Sequence, residues 1–166
     1  MSVLVTDERP RDAAAIADLI DAAFAGAPHA SGTEAAIVDR LRADGDLVAS
    51  LVALEDGAVI GHIALSPARI GAAAGWFAIG PVAVAPGHQR RGIGAQLIRA
   101  ALERLRGVNA AGAVLVGDPA FYGRFGFAAV PGLTYSDIPG QYVQRLALAG
   151  PDARGEIAFA PAFDGA

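Results

Sequence analysis

The chain has 166 residues, of which 54% are apolar, and a formal net charge of −4. This length and apolar content suit one folded domain with a substantial core, so residues 1–166 are interpreted as a single domain. Because duplex nucleic acids are bound mainly by clustered cations, the acidic balance argues against nucleic acid as a partner.

Missing residue types narrow the chemistry further. The sequence has no cysteine, which excludes disulfides, thiolate nucleophiles and Cys-ligated metals, and we expect no metal centre. It has no lysine either, which excludes Schiff-base chemistry and a P-loop lysine. No apolar run is long enough to span a membrane, and the N-terminal residues lack the apolar core of a secretory signal. We therefore expect a cytoplasmic protein without a membrane partner.

The first quarter of the chain predicts a short strand followed by two helices. Residues 3–5 form a short apolar strand candidate. Asp12 is a candidate cap for a helix over residues 13–24, in which apolar side chains recur at helical spacing. Residues 25–32 are interpreted as a loop, and Thr33 is a candidate cap for a second helix that ends near Arg42.

The middle of the chain is rich in strand formers. Two such runs flank Asp56-Gly57, a dipeptide typical of a tight hairpin turn. A further strand is predicted over residues 76–84, interrupted by Gly80-Pro81. Because proline cannot donate to a strand ladder, we expect an edge, a bulge or a splay at this point.

The last part of the chain completes a mixed α/β pattern. An amphipathic helix is predicted over residues 92–106, followed by a short buried strand at 113–116 and a turn–helix–turn segment at 117–127. Residues 143–148 and 156–159 are closing strand candidates, and the apolar tail leaves pairing with a second copy open. We expect three layers, with helices on both faces of a mostly antiparallel sheet.

The start of the third predicted helix has unusual chemistry. The segment Gln89-Arg90-Arg91-Gly92-Ile93-Gly94 brings glycines and arginines to a position where capping residues are usual. Exposed N–H groups and the helix dipole attract anions, and glycines leave the backbone accessible. With His88 beside it, the segment predicts a pyrophosphate site; the alternative is an ordinary glycine-rich turn with solvated arginines. It matches neither a P-loop nor a Rossmann fingerprint.

Two segments together resemble one protein family. The sequence GPVAVAPGHQRRGIGAQLI (residues 80–98) is similar to the central motif of the GNAT superfamily of acetyl-CoA-dependent N-acetyltransferases, with Gln89, Gly92 and Gly94 at its defining positions. The later GDPAFYGRFGF (residues 117–127), which contains Tyr122, resembles the element that follows the fifth strand in that family. The predicted order of elements also fits the family's fold.

The resemblance implies a site for acetyl-CoA. In GNAT proteins the fourth and fifth strands splay apart, and the pantetheine arm lies in the gap and pairs with the fourth strand. Carried over to this sequence, two segments would bind the cofactor: Val82, Ala83 and Val84 for the arm and the thioester, and Gln89, Arg90, Arg91, Gly92, Ile93 and Gly94 for the pyrophosphate.

The resemblance also implies transfer of an acetyl group to a primary amine of a small molecule or a protein N-terminus. The N–H of Val84 is the candidate that polarises the thioester carbonyl, and Tyr122 is the candidate acid for the leaving thiolate. The alternative for Tyr122 is an aromatic ring packed over the cofactor. The acceptor pocket would be built largely by residues 25–32, with His29 at its border, and 132–141.

The sequence offers several candidates for the general base. Many relatives place a Glu on the fourth strand, but residues 76–84 contain no carboxylate. His62 is a candidate base because of its ordinary pKa, although a structural histidine is the alternative; Glu34 and a water chain are others. Asp118 is interpreted as a cap. The sequence is also compatible with two other hypotheses: a non-catalytic domain that binds or senses acyl-CoA, and a transferase with a longer acyl donor.

Overall fold

The computed structural model describes residues 2–27 and 30–164, which form eight strands and four α-helices. In chain order these are β1 (Leu4–Asp7), α1 (Ala13–Phe24), α2 (Glu34–Asp44), β2 (Ala49–Glu55), β3 (Ala58–Ile70), β4 (Ala73–Val84), α3 (Ile93–Gly107), β5 (Gly112–Val116), α4 (Pro119–Tyr122), β6 (Leu133–Thr134), β7 (Val143–Ala147) and β8 (Gly155–Phe159).

The strands form an open, mostly antiparallel sheet. Its main path runs β1-β2-β3-β4-β5-β7, and β8 pairs with the far end of β3 and with β6. Within the described residues, parallel pairing occurs between β4 and β5 and between β6 and β8. The mixed α/β class predicted from the sequence is confirmed.

Helices cover both faces of the sheet and bury its apolar side chains. On one face, Ile16 and Ile20 of α1 pack with Val52 and Ala83 of the sheet. On the other face, the core formed with α3 includes Leu97, Ile98, Leu51 and Ile63 from the helix and the sheet. Removal of these side chains from water is the main force that holds the three layers together.

The hairpin between β2 and β3 forms where the sequence predicts it. Asp56 and Gly57 are the two turn residues, with φ angles of 50° and 82°. A two-residue turn with both φ values positive matches the right-handed twist of the flanking strands. The turn places Glu55 opposite Ala58, and a register shift between Ala53 and Leu54 then places Val52 opposite His62.

Two local predictions differ from the structure. Asp12 and Thr33 are the N-cap residues of α1 and α2, but neither side chain makes a capping hydrogen bond. Asp12 Oδ2 instead accepts a hydrogen bond from the backbone N–H of Arg9 at 2.7 Å. The strand β6 was not predicted, because two residues are too few to show a periodic pattern. His29 lies outside the described residues.

Candidate active site

A gap opens between β4 and β5. The two strands pair from Trp76 opposite Gly112 to Ala78 opposite Val114, and the pairing stops there. Pro81, which has no N–H to donate, lies just beyond this point. The remaining part of β4 stays paired with β3 on its other side. On the side toward β5, the end of β4 therefore has no strand partner among the described residues.

The backbone of β4 presents polar groups to this gap. The N–H of Ala85 donates to the carbonyl of Ile60 on β3 at 2.8 Å. Because an antiparallel ladder alternates, the backbone groups of Ala83 also face β3, whereas those of Val82 and Val84 face the gap. The Val84 carbonyl accepts a hydrogen bond from Gln89 Nε2 at 3.1 Å. The N–H of Val84 and both backbone groups of Val82 thus remain available to a ligand.

The loop before α3 presents a second set of backbone donors. Within the part of the chain that the structure describes, none of the six N–H groups of residues 89–94 donates to a backbone or side-chain acceptor. Arg90 and Gly92 have φ angles of 65° and 80°, which curve the loop. A Cβ on Gly92 would meet nothing within 4 Å. Such a concave set of N–H groups at a helix start is suited to an anion.

Two side chains near this loop contact the same carboxylate. Glu55, the last residue of β2, lies 2.5 Å from Nη2 of Arg91 and 3.4 Å from Nε2 of His88. The hydrogen bond from Arg91 lowers the pKa of Glu55 and in turn raises the pKa of Arg91. Arg90 has no ion-pair partner among the described residues. The positive charge of Arg91 is thus oriented by Glu55 before any ligand arrives.

Tyr122 is positioned by a short capped helix. Asp118 Oδ1 accepts a hydrogen bond from the N–H of Ala120 at 2.9 Å, which confirms its predicted capping role for α4. The Tyr122 ring lies directly over Gly117, where a Cβ would collide with it. Burial, and to a smaller degree the charge of Asp118, raises the pKa of Tyr122 to about 12. The phenol therefore keeps its proton at neutral pH.

His62 lies in the opposite face of the sheet. It is fully buried in β3, opposite Val52 and Ala83, which belong to the core under α1 and α2. Its Nε2 lies 2.7 Å from the hydroxyl of Ser50, which also contacts the Glu8 carboxylate. His62 is thus linked by hydrogen bonds to Ser50 in β2 and, through Ser50, to Glu8 directly after β1.

The hydrogen bonds of Ser50 determine the tautomer of His62. Because a carboxylate only accepts, the Ser50 hydroxyl donates to Glu8 and accepts from the Nε2–H of His62. Nδ1 then carries a lone pair, and it has no partner within the described residues. The pKa of His62 is lowered to about 4. Burial lowers it most, the charge of Glu8 partly opposes this, and the charge of Arg42 lowers it further. The imidazole is therefore neutral at pH 7.

Glu34, the alternative base, has a different environment. Its carboxylate accepts hydrogen bonds from the backbone N–H groups of Ser31 at 2.9 Å and Gly32 at 3.1 Å. Desolvation alone would raise the pKa of Glu34, but these hydrogen bonds outweigh it, and the net shift is downward. Glu34 thus fastens the loop that precedes α2.

The family follows from comparison with known proteins. Residues 14–127 match the family model described as the Acetyltransferase (GNAT) family. The chain belongs to this family. It is 39% identical over 127 residues to the protein named Uncharacterized N-acetyltransferase YhbS from Escherichia coli strain K12, which covers 75% of this chain and 73% of that protein. A shorter match of 58 residues is 50% identical to the protein named Mycothiol acetyltransferase from Thermomonospora curvata. This match covers 35% of this chain and 18% of that protein.

Solved structures agree with this assignment. A GNAT family acetyltransferase from Brucella melitensis in complex with acetyl-CoA has 45% sequence identity and a TM-score of 0.87, covering 98% of this chain and 99% of that one. YhbS from Escherichia coli in complex with CoA has 32% identity and a TM-score of 0.89, covering 98% and 92%. The predicted family, fold class and acyltransferase class are thereby confirmed.

Sequence reasoning missed three residues of the candidate site. Glu55 contacts Arg91 across 36 positions of the chain, and Ser50 and Glu8 join His62 through the sheet. Ser50 is a single polar residue among apolar ones in β2, whereas Glu8 and Glu55 lie at strand ends beside other charged residues. Ser50 and His62 are related by the register of β2 against β3, which depends on the Asp56-Gly57 turn and on a register shift between Ala53 and Leu54 that the sequence does not announce. No helix among the described residues is long and apolar enough to cross a membrane.

Proposed function

We propose that this GNAT acyltransferase transfers the acetyl group of acetyl-CoA to a primary amine of a small molecule or a protein N-terminus. The observation that carries the proposal is the pair of unsatisfied backbone sets: the N–H groups of residues 89–94, and the groups of Val82 and Val84 that face the gap. The acetyl-CoA and CoA complexes of the similar structures support the same donor.

The two backbone sets are proposed to divide the cofactor between them. The N–H groups of Gln89, Arg90, Arg91, Gly92, Ile93 and Gly94 receive the diphosphate, and Arg91 adds positive charge from its position beside Glu55. The groups of Val82 and Val84 receive the pantetheine arm as an added strand. Ala83 contributes by its pairing with His62 on β3, which keeps its neighbours turned toward the gap.

Acetyl transfer then requires charge stabilisation and proton movement. The amine nitrogen attacks the thioester carbon, and the N–H of Val84 stabilises the oxygen that becomes negative. When the C–S bond breaks, Tyr122 gives its proton to the sulfur. The attacking nitrogen loses one proton to a base, which releases it to solvent, and the phenolate regains one proton from solvent, so that a neutral amine and acetyl-CoA yield an amide and the free thiol. The elevated pKa of Tyr122 keeps this acid protonated before each turnover.

His62 is proposed as the group that receives the amine's proton. Its Nδ1 carries a lone pair without a partner among the described residues. His62 pairs with Ala83, the residue between the two that are proposed to bind the arm and thioester. An imidazole with a pKa of about 4 does not deprotonate an alkylammonium ion. It accepts a hydrogen bond from the neutral amine, and it takes the proton once attack has made that nitrogen strongly acidic.

The proposal is tested by thiol release. The protein is incubated with acetyl-CoA and a panel of primary amines and N-terminal peptides, and free CoA is measured against a control without amine. We expect release above the control for at least one amine class. Tight binding of acetyl-CoA without release for any of them would favour the domain that binds or senses acyl-CoA without turnover.

A further inference from the structure

Two arginines next to the proposed diphosphate loop share one aromatic ring. The guanidinium carbon of Arg99, on α3, lies 5.3 Å from the centre of the Phe125 ring, and that of Arg124 lies 5.4 Å from it. Arg124 also lies 4.7 Å from the Phe121 ring. Both arginines are exposed. Two like charges thus converge on the same patch of surface.

This pair lies directly beside the loop. A Cβ placed on Gly94 would be 3.4 Å from Cζ of Phe121, so the Phe121 ring lies near both the start of α3 and the Arg124 guanidinium. The Nε of Arg124 donates to the Phe121 carbonyl at 3.3 Å. This bond orients the side chain, and the two terminal nitrogens have no hydrogen-bond acceptor among the described residues.

The charges of this pair are not neutralised by the protein. Within the described part of the chain, neither Arg99 nor Arg124 lies in an ion pair, whereas Arg91 pairs with Glu55 and Arg104 pairs with Asp7. The chain carries more acids than bases, with a net charge of −4. Two neighbouring guanidinium ions without a carboxylate repel each other, and an anion bound between them would reverse this cost.

We propose that Arg99 and Arg124 form a subsite for a phosphate monoester, namely the ribose 3′-phosphate of coenzyme A. The assignment rests on the proposed function, in which the loop holds the diphosphate of the same molecule. Coenzyme A carries its third phosphate as a monoester on the ribose next to that diphosphate, and such a group has a charge of nearly −2 at neutral pH. Planar guanidinium forks bind such oxygens in pairs. The two arginines therefore select coenzyme A over its dephospho form.

The test compares two ligands that differ only in this phosphate. Binding of CoA and of dephospho-CoA is measured by calorimetry for the wild type and for Arg99→Gln, Arg124→Gln and the double variant. We expect the wild type to prefer CoA by about tenfold or more, because charged hydrogen bonds are involved. Each single variant should lower this preference several-fold, and the double variant should abolish it. Affinity for dephospho-CoA should stay within about twofold throughout.

The binding experiment includes a control variant at an arginine away from the proposed subsite. Arg106→Gln removes an exposed arginine from the last turn of α3 and should leave both affinities unchanged. Equal wild-type affinity for the two ligands would overturn the subsite and leave the proposed function intact. Parallel loss of both ligands in the variants would also overturn it, since it would mean that the arginines only support Phe125. If the wild type binds neither ligand, the proposed function itself fails.

Discussion

The edge of the sheet beside α3 and the face of the sheet under α1 and α2 present different kinds of groups. Beside α3, the candidate cofactor site consists of main-chain N–H and C=O groups from β4 and from residues 89–94. Under α1, the candidate catalytic group is the buried side chain of His62, held by Ser50 and Glu8. Main-chain groups can bind a ligand only where no side chain covers them. A buried network such as His62, Ser50 and Glu8 forms only where the fold brings those side chains into contact.

This difference explains what a substitution should do on each side. On the backbone side, adding a side chain blocks a ligand and need not unfold the protein. On the network side, removing a polar partner leaves a buried group unsatisfied, which destabilises the fold and changes the chemistry together. Variants in the backbone site are therefore expected to weaken ligand binding without unfolding the protein. Variants in the buried network are expected to change stability and chemistry together.

Tyr122→Phe should have the largest effect, and on turnover alone. A general acid contributes about 10²- to 10⁴-fold to a rate, so we expect kcat to fall by roughly that factor while affinity for acetyl-CoA is retained. Because the pKa of Tyr122 is raised to about 12, the ratio of wild-type to variant kcat should stay constant from pH 6 to pH 10. Steady-state kinetics and calorimetry measure the two quantities. A wild-type kcat in the variant would remove Tyr122 from the mechanism.

His62→Gln should change how stability depends on pH. The pKa of His62 in the folded state is about 4, below its ordinary value of 6.5, so the unfolded chain binds a proton that the folded chain does not. Stability from this group is present above about pH 6.5 and is lost as the pH falls. The wild type should lose about 2 kcal/mol between pH 7.5 and pH 5 through this residue.

Denaturant unfolding at the two pH values measures this loss. His62→Gln should show a smaller fall in the free energy of unfolding than the wild type, although it is the less stable protein at pH 7.5. His88→Gln is the control, because His88 is only half-buried beside Glu55. The same fall in all three proteins would contradict the buried, neutral state of His62.

Gly92→Val should weaken cofactor binding beyond its effect on folding. A branched Cβ on the loop would project toward the proposed diphosphate, and we expect affinity for acetyl-CoA to fall by about tenfold to a hundredfold through lost charged hydrogen bonds. Gly45→Val is a matched control. Gly45 has a φ of 77° against 80° for Gly92, and a Cβ on either meets nothing within 4 Å.

Both glycine variants should lose similar stability, because a β-branched residue is strained at positive φ. Only Gly92→Val should lose affinity, as measured by calorimetry on folded protein. If both variants bind acetyl-CoA as the wild type does, the loop is not the diphosphate site. If both lose affinity equally, the loss reflects backbone strain rather than a blocked anion site.

The same contrast sets what can be predicted from the sequence. The helix over residues 13–24 and the Asp56-Gly57 turn follow from local periodicity and local conformational preference, and the structure matches them. The loop at 89–94 is also local, because its glycines and the helix that follows are adjacent in the chain. The bond from His62 to Ser50 spans 12 positions and depends on strand register. The contact of Glu55 with Arg91 depends on where β2 ends relative to α3, which no short segment specifies.

Asp118→Ala should have the smallest effect. It tests whether a local contact, the cap of α4, affects turnover through the position of Tyr122. Loss of an N-cap typically costs about 1 kcal/mol, and α4 is a single turn, so the loss should act on the helix that carries Tyr122 rather than on the whole fold. We expect kcat to fall about fivefold with affinity for acetyl-CoA nearly unchanged. Asp118→Asn keeps a cap acceptor and should restore kcat. If Asp118→Asn is as slow as Asp118→Ala, the charge of Asp118, which also helps to raise the pKa of Tyr122, contributes more to turnover than the cap does.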